Sequence, residues 1–523
     1  MNEVITTAIG EVLSPSVLVT IVLAAAYGIF VGAVPGLTAT MAVALMVPLT
    51  FYLTDVQAVA AIVTTVTCSI FAGDIPATLV RIPGTPASAA YTSDAYALTQ
   101  RGEPERALAV SLVFSVFGGL FGTLVLVVAA PLLARLATQF TSYEYFWLYL
   151  MGLTCAAIVS EDSRLKGALA LLIGLLLSTV GLGTDYSVPR MTFGFDPLIT
   201  GISFIPAMIG LFGVSEVLRN VLTIGPGGGP SIAPPAHSRQ GLLSLLGETI
   251  GMAGRRIVSL LRSSTIGSLI GMLPGAGADI AAWVSYAVSK RFSKKPEEYG
   301  RGSLEGLGDA TGANDAALGS AWIPALVFGI PGDSVTAIVI GVLLMKNITP
   351  GPGIFDPGDP AAADYAQTFH QTVLVFSIYV AFLVANLVLI PLGLLAIRTG
   401  TLLIRIPRRV LLPIILMFCI VGSYSLNASY FDVWVMLAMG LLGFVLERFN
   451  VPLGPVVLGI LLGGPLEHRF IQCLMKSSSP LAFVAGPISI VLAAACVALW
   501  FAPGMTTLVR QAAGGGTNRI RSD

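Results

Sequence analysis

Long apolar stretches recur along this chain and constrain its fold more than any other feature. Clear examples occupy residues 17–34, 107–133, 167–182, 372–396 and 480–501. A helix of about 17–25 apolar residues crosses the hydrocarbon layer of a bilayer. With 55% hydrophobic and 11% charged residues among 523, the chain has more apolar surface than a water-soluble core could bury. The stretches are continuous rather than alternating, so they predict an all-α polytopic membrane protein.

Basic residues predict how the helices are oriented, because positive charges near helix ends stay on the cytoplasmic side. No Lys, Arg or His precedes Arg81, so the N-terminus is expected outside. The C-terminal tail contains Arg510, Arg519 and Arg521 and is expected inside. Following the charges along the chain predicts roughly 12–15 membrane segments. Basic residues in 465–479 fall outside in this scheme, and the position of that segment stays open.

Two short patterns occur twice in the same order. GAVPG at 32–36 recurs as GMLPG at 271–275, and IPA followed by IPG at 75–84 recurs at 323–332. The links that follow the two copies carry opposite charge: a neutral or acidic link in one copy matches a basic link in the other. Duplicated units inserted in opposite senses, each with broken helices, are typical of secondary transporters. We therefore predict two inverted-topology repeats with broken or re-entrant helices.

These patterns also divide the chain into four regions. Residues 1–218 are predicted to contain the first transmembrane repeat and the helices after it, and 255–400 the second, inverted repeat. Between them, 219–254 is predicted to be a cytoplasmic linker because it contains the flexible run GPGGGP. Residues 401–523 are predicted to form C-terminal transmembrane helices and a short cytoplasmic tail.

The Pro-Gly steps indicate where a ligand would bind. An interrupted helix leaves backbone groups unpaired, which a bilayer tolerates only where protein or water covers them. The helix that resumes presents free N–H groups and its positive end, which suits a carboxylate, and nearby hydroxyls could bind an anion or Na⁺. The predicted substrate-binding residues near the breaks are Pro35, Gly36, Thr38, Thr40, Arg81, Pro83, Gly84, Thr85, Ser88, Pro274, Gly275, Gly277, Pro331, Gly332, Ser334 and Thr336. The alternative is that these steps only kink helices where they cross closely.

Charged residues at membrane depth are expensive and usually mark ion or substrate paths. Arg81 is the predicted partner of a substrate carboxylate, which its planar fork can bind in a bidentate way. The residues predicted to couple transport to a cation or proton are Asp74, Asp279, Asn314, Asp315 and Asp333. The alternative is structural: Asp74 and Arg81 would neutralise each other, and the other acids would face water.

Several classes of function are disfavoured. The formal net charge is zero, so nothing predicts nucleic-acid binding. The five cysteines have no metal-binding spacing, and we expect no metal or other cofactor except a possible coupling Na⁺. The sequence lacks HExxH, GxSxG and GxxxxGK[ST], which argues against a hydrolase and an ATP-driven pump. An ion channel or an intramembrane enzyme remains the alternative to a carrier.

The sequence resembles the large membrane subunit of the tripartite tricarboxylate transporter family. In the second half the resemblance is carried by IGMLPGAG, SKRFSKKPE, SLEG and IPG leading to GPG, within residues 270–353. In the first half VPGL, PLTF and IPG within 34–84 fit as well. The sequence departs from the family pattern at AGD, residues 72–74, and at ATGAND, residues 310–315. These departures leave the substrate and the coupling ion open.

The resemblance implies a permease of the bacterial cytoplasmic (inner) membrane, where the N-terminus that the charges predict to be outside would lie in the periplasm. It implies two protein partners, a small membrane subunit and a periplasmic solute-binding protein. The implied cargo is a carboxylate such as citrate or a related di- or monocarboxylate. A Na⁺ or H⁺ gradient would drive its import.

Overall fold

The structure is a computed structural model that describes residues 1–158, 163–183, 188–223, 241–274, 277–404, 408–477 and 479–499. Within these residues, six helices are long and apolar enough to cross a membrane, and shorter apolar helices accompany them. The strands described are β1 (Gly181–Leu182) and β2 (Pro189–Arg190), which pair antiparallel. The predicted all-α polytopic membrane fold is therefore confirmed.

The helices fall into four groups along the chain. The first group is α1 (Asn2–Val12), α2 (Pro15–Ala33), α3 (Ala39–Thr50), α4 (Asp55–Ala72), α5 (Asp74–Val80), a 3₁₀ turn (Ala87–Ala90), α6 (Thr92–Gln100) and α7 (Pro104–Ala137). The second is α8 (Ser142–Ile158), α9 (Arg164–Ser178), a 3₁₀ turn (Asp196–Thr200), α10 (Phe204–Met208), a π-helical segment (Ile209–Val214), α11 (Ser215–Thr223) and α12 (Leu242–Arg255). The third is α13 (Ile257–Gly271), α14 (Gly277–Phe292), a 3₁₀ turn (Pro296–Glu298), α15 (Leu304–Phe328), α16 (Ser334–Met345), a 3₁₀ turn (Pro352–Phe355) and α17 (Tyr365–Ile404). The fourth is α18 (Arg408–Asn427), α19 (Tyr430–Arg448), α20 (Leu453–Lys476), a 3₁₀ turn (Pro480–Val484) and α21 (Pro487–Leu499).

Helices end at all four predicted Pro-Gly steps. The first step separates α2 from α3, and Gly36 there has a left-handed φ of 88°. The second follows the end of α5, the third follows α13, and the fourth separates α15 from α16. Proline lacks the N–H that the next helical hydrogen bond needs, and glycine allows the chain to turn.

Small residues make the same pair of contacts in both halves. On the helix before the Pro-Gly step, two glycines four residues apart lie against the backbone of the next long helix. The contacts are Gly28 with Thr65 and Gly32 with Ser69 in the first half, and Gly267 with Ala313 and Gly271 with Ala317 in the second. In each half the two contacts lie four residues apart on both helices, so the packing repeats as the sequence patterns do and supports the predicted internal repeat. Small residues allow backbones this close in membrane helices.

The ends of α5 and α15 are also built alike. Each helix ends at a residue with left-handed φ, Arg81 at 60° and Gly329 at 67°. In each, the next backbone N–H reaches back six residues, as in a Schellman motif. The two hydrogen bonds are Ile82 N to Pro76 O and Ile330 N to Pro324 O, each 3.2 Å long.

The contacts of the long helices show that the halves are inverted. The equivalent helices α7 and α17 pack antiparallel, because Gly119 lies against Asn386 whereas Leu112 lies against Gly393. In contrast, α7 runs parallel to α15, and α17 runs parallel to α4 and α5. The contacts that show this are Gly118 with Gly312, Gly122 with Ala316, Phe71 with Gly393 and Ile75 with Gly400. Helices α4 and α15 therefore run in opposite directions.

The chain divides into two compact units. One comprises Met1–Thr138 and Ile202–Phe449, and contains both repeats. The other comprises Gln139–Gly201 and Asn450–Asp523; in it α20 packs against α8 and α9. An ion pair of 2.7 Å between Arg190 and Glu467 stabilises this second unit. The predicted C-terminal region thus contributes to both units.

Two segments differ from the simplest expectation. The range 219–254, predicted to be a linker, contains the end of α11 and nearly all of α12, and residues 224–240 lie outside the described residues. The segment 465–479 continues helix α20 as far as Lys476. Polar composition at a helix surface and in a loop looks the same in sequence, which explains the first difference.

The repeated glycine contacts predict matched losses of stability. A Cβ added at Gly28 would lie 3.1 Å from the Thr65 Cα, and one at Gly267 would lie 2.8 Å from the Ala313 Cα. We expect Gly28→Ala and Gly267→Ala each to destabilise the protein by about 1–3 kcal/mol through overpacking. Thermal unfolding of the detergent-solubilised protein measures this as a lower melting temperature.

The matched control is Gly254→Ala in α12, where an added Cβ meets nothing within 4 Å. Alanine favours a helix over glycine by about 1 kcal/mol, so this variant should melt at the same temperature or slightly higher. Wild-type melting of both test variants would contradict the close packing.

Candidate functional site

The segments that follow the helix breaks meet across the two halves. Helix α3 of the first half packs against α16 of the second, and α14 of the second packs against the 3₁₀ turn Ala87–Ala90 of the first. At the start of α14, the Gly277 N–H donates to the Gly332 carbonyl oxygen at 3.2 Å. The predicted substrate-binding segments of both halves are therefore brought into one region of the first unit.

Reciprocal hydrogen bonds fix the chain just after the second break in each half. Ser88 N donates to Thr85 Oγ1 and Thr85 N donates to Ser88 Oγ, both at 3.1 Å. At the equivalent positions, Thr336 N donates to Asp333 Oδ1 at 2.8 Å and Asp333 N donates to Thr336 Oγ1 at 2.9 Å. These hydroxyls, predicted to bind substrate, thus cap their own backbone, as in a capping box.

The two boxes differ in charge. The first half has a neutral Thr85 where the second has Asp333, whose Oδ1 accepts from both the backbone and the side chain of Thr336. The positive end of α16 therefore already faces a carboxylate of its own chain. By contrast α3 begins at a neutral cap, where Thr38 Oγ1 accepts from Met41 N at 3.2 Å. An anion is favoured at α3, and a cation is favoured beside Asp333.

Arg81 stands at the break in a conformation that arginine rarely adopts. Its φ is 60°, which costs a non-glycine residue about 1–2 kcal/mol, and the second half has glycine at this position. The side chain is exposed, and its guanidinium lies 6.0 Å from the ring centre of Tyr96. Among the described residues the guanidinium makes no ion pair. Its charge is available to a ligand.

The alternative in which Asp74 neutralises Arg81 is wrong. Asp74 is buried and accepts hydrogen bonds from the Tyr91 hydroxyl, at 2.6 Å, and from the Ser111 hydroxyl. Two donors of the first repeat thus satisfy this carboxylate. Arg81 lies at the left-handed end of α5, and its guanidinium is beside the Tyr96 ring instead.

Asp315 has a different environment from Asp74. It lies in α15 with 1% of its surface exposed, and neither carboxylate oxygen has a partner with hydrogen-bond geometry among the described residues. The Ser115 hydroxyl of α7, the Cys68 thiol of α4 and the Asp74 carboxyl surround it. A buried polar group without partners is costly, which keeps Asp315 among the candidate functional residues.

The other predicted residues are placed as follows. Asn314 is buried beside Asp315, and Pro35, Gly84, Pro274, Pro331 and Gly332 are buried at the breaks. Thr40, Gly36 and Ser334 are half-buried, and Pro83 is exposed. Gly275 and the side chain of Asp279 lie outside the described part of the structure. Within that part, no group of three or more His, Cys, Asp or Glu side chains could hold a metal ion.

The structure adds residues that the sequence did not single out. The Asn220 side chain of α11 donates to the carbonyl oxygen of Gly36 at 3.3 Å, and so touches the first break. It was missed because it falls in the range predicted to be a linker. Tyr91 and Ser111 were missed because their role depends on the fold that brings them to Asp74. Asn386 of α17 is fully buried against α7, in an apolar helix where an amide is unusual enough to have been a signal.

Comparisons with known proteins agree with this geometry. A sequence model of the tripartite tricarboxylate transporter TctA family matches residues 18–458. The chain is 33% identical over 484 residues to an Agrobacterium vitis protein described as "Uncharacterized 52.8 kDa protein in TAR-I ttuC' 3'region", covering 91% of this chain and 92% of that protein. It is 35% identical over 243 residues to the "Uncharacterized protein in TAR-II ttuC' 3'region" of the same organism, covering 46% of this chain and 95% of that one. No solved structure matches the chain.

The family match covers both inverted repeats, and the whole-length relative covers both compact units. The apolar helices and the family together make this a multi-pass membrane protein. The chain therefore belongs to the tripartite tricarboxylate transporter TctA family, the family of the large permease subunit.

Proposed function

We propose that this permease imports a carboxylate across the bacterial cytoplasmic membrane by alternating access, driven by a Na⁺ or H⁺ gradient. The observation that carries the proposal is the meeting of interrupted helices from two inverted halves. Inverted halves can exchange conformations, so that a site between them faces first one side of the membrane and then the other. Citrate or a smaller di- or monocarboxylate is the expected substrate class.

The substrate carboxylate is assigned to the neutral side of the site. The first turn of α3 offers backbone N–H groups and the hydroxyls of Thr38 and Thr40 without an acid of its own. The free guanidinium of Arg81 can supply a bidentate contact, which is stronger than a neutral hydrogen bond. Asp333 would repel the anion from α16, so the two ends of the site are not interchangeable.

The coupling ion is assigned to the acids. Neither oxygen of Asp315 accepts a hydrogen bond of good geometry within the described structure, although the Ser115 hydroxyl lies beside it, so its oxygens are available to take up a proton or to bind a cation. Asp333 uses one oxygen as a cap, and its charge can attract a cation to the start of α16. Asp74 is already satisfied by two hydroxyls, so its role is to position α5 against α7.

The protein partners follow from the family. Transport by tripartite systems uses a small membrane subunit and a periplasmic solute-binding protein in addition to the large permease. We expect both to be needed for high-affinity uptake here. The tests below therefore use cells or vesicles that contain all three subunits.

Gradient dependence tests the carrier proposal itself. Uptake of radiolabelled citrate, succinate or acetate should collapse when ionophores abolish both the Na⁺ and the H⁺ gradient, because accumulation needs an energy source. Abolishing one gradient at a time identifies the coupling ion. Uptake that continues unchanged without either gradient would indicate a channel.

Arg81→Gly should separate stability from transport. Removing the left-handed strain should raise the melting temperature, whereas losing the guanidinium should lower carboxylate uptake by about tenfold or more. The matched control is Ala428→Gly, which relieves a left-handed φ of 49° away from the breaks and should leave uptake unchanged. Normal uptake by Arg81→Gly would remove Arg81 from the substrate site.

Asp315→Asn should uncouple transport from its gradient. An amide cannot carry a proton or a negative charge, so gradient-driven accumulation should be lost. Exchange of labelled for unlabelled substrate at equal concentrations should persist. The comparison variant is Asp74→Asn, which should mainly lower the melting temperature because it disturbs the hydrogen bonds from Tyr91 and Ser111. Retained accumulation in Asp315→Asn would exclude this acid as the coupling group.

A further inference from the structure

Basic side chains fasten each half onto the other at two places outside the proposed ligand site. Arg101 ends α6, and its guanidinium donates to the carbonyl oxygen of Arg301 at 2.5 Å, just before α15. Lys346 ends α16, and its ammonium donates to the carbonyl oxygen of Leu53 at 2.7 Å, just before α4. The acceptors Leu53 and Arg301 occupy equivalent positions in the two repeats. They are separated in sequence by the same number of residues as IPG at 82–84 and IPG at 330–332.

Acidic side chains reinforce both contacts. We name the first contact the α15 clamp. In this clamp the buried Asp94 of α6 accepts hydrogen bonds from Gly302 N at 2.7 Å, from Ser303 N at 2.8 Å and from the Tyr286 hydroxyl at 2.5 Å. It comprises Asp94 and Arg101 with Tyr286 and the backbone of residues 301–303. The carboxylate thus occupies the N-terminal end of α15, where N–H groups have no helical partner.

We name the second contact the α4 clamp. In it, Asp55 at the start of α4 pairs with two basic side chains of the second half. Its Oδ1 lies 3.4 Å from Lys346 Nζ, and its Oδ2 lies 3.0 Å from His370 Nε2. This clamp comprises Lys346 and His370 of the second half with Leu53 and Asp55 of the first. In both clamps, a basic residue at the end of the helix that follows the second break, α6 or α16, binds the start of the long helix of the opposite half.

The clamps lie at opposite ends of the repeat unit. Helices α4 and α15 run in opposite directions, as the contacts of α7 and α17 show, so their N-terminal ends face opposite sides. Within the described structure, both clamps are closed at once. A carrier that opens toward one side must separate the halves there while the other side stays shut.

From this arrangement we infer that the α15 clamp and the α4 clamp are the two gates of the transport cycle, each released as the protein opens to its side. The inference rests on the proposed alternating access. The charged groups are assigned as positioning residues, because they join helix ends of the two halves outside the proposed ligand site. By the distribution of basic residues, the α15 clamp is expected on the cytoplasmic side.

The test weakens each clamp without removing a buried group. Arg101→Gln deletes the charge-assisted contact to the Arg301 carbonyl oxygen, and Lys346→Gln deletes both the contact to the Leu53 carbonyl oxygen and the ion pair with Asp55. Lys295→Gln is the matched control, since Lys295 is exposed and pairs with Glu298 in its own segment at 2.8 Å. Thr40→Cys, half-buried at the first break, reports access to the site through labelling by a membrane-impermeant maleimide. The parent chain without this cysteine gives the background, because four of its five cysteines are buried.

Labelling is measured in right-side-out and inside-out vesicles. Arg101→Gln should raise the labelling rate from the cytoplasmic side by roughly five- to tenfold relative to the rate from the periplasmic side. This is the effect expected for a lost hydrogen bond to a charged group. Lys346→Gln should shift the ratio by a similar factor in the opposite direction, and the double variant should return toward wild type. Lys295→Gln should leave the ratio unchanged.

Structural bracing would give a different result. If both single variants leave the labelling ratio unchanged, or shift it the same way, and the double variant only melts at a still lower temperature, the gate assignment is overturned. Labelling needs no substrate and no gradient, so it tests the clamps separately from the carrier proposal. Gradient-driven uptake by the wild type in the same vesicles shows whether the proposed function holds.

Discussion

Close backbone contact at glycine is the interaction on which the rest of this structure depends. The long helices α4 and α15 are almost completely buried, and the helices beside them approach to backbone distance at Gly28, Gly267 and Gly118. Lipid gives no hydrophobic drive for helices to associate, so tight van der Waals packing must hold them. The same contacts fix where each Pro-Gly step lies. The broken helices are thus positioned by a rigid frame on both sides.

The ligand region shows how two related halves can come to perform different tasks. The backbone of the second break is nearly the same in each half, from the Schellman end to the reciprocal caps. The side chains are different: the position equivalent to Arg81 in the second half is a glycine, and the position equivalent to Asp333 in the first half is a threonine. One half therefore carries positive charge at its break and the other negative. A site between them can hold an anion and a cation without placing either beside a like charge.

Some of this could be predicted from sequence, and the reasons are physical. The four breaks were predictable because Pro and Gly act on the backbone wherever they occur, and the inverted orientation was predictable because basic residues near helix ends stay on the cytoplasmic side. That the hydroxyls after the breaks would cap their own backbone was not predictable. Thr85 and Ser88 serve their own backbone, which depends on local φ and ψ, and Asp74 is satisfied by side chains distant in the sequence. Asn220 was hidden by the polar composition around it.

The reciprocal caps have a consequence for the speed of transport. Each box satisfies two N–H groups with side chains from the same few residues, so these hydrogen bonds do not depend on the neighbouring helices. Moving such a box past its neighbours leaves these N–H groups paired, whereas leaving them unpaired in lipid would add about several kcal/mol to the barrier. In the proposed cycle these caps can accordingly stay intact while the surfaces around them separate and rejoin.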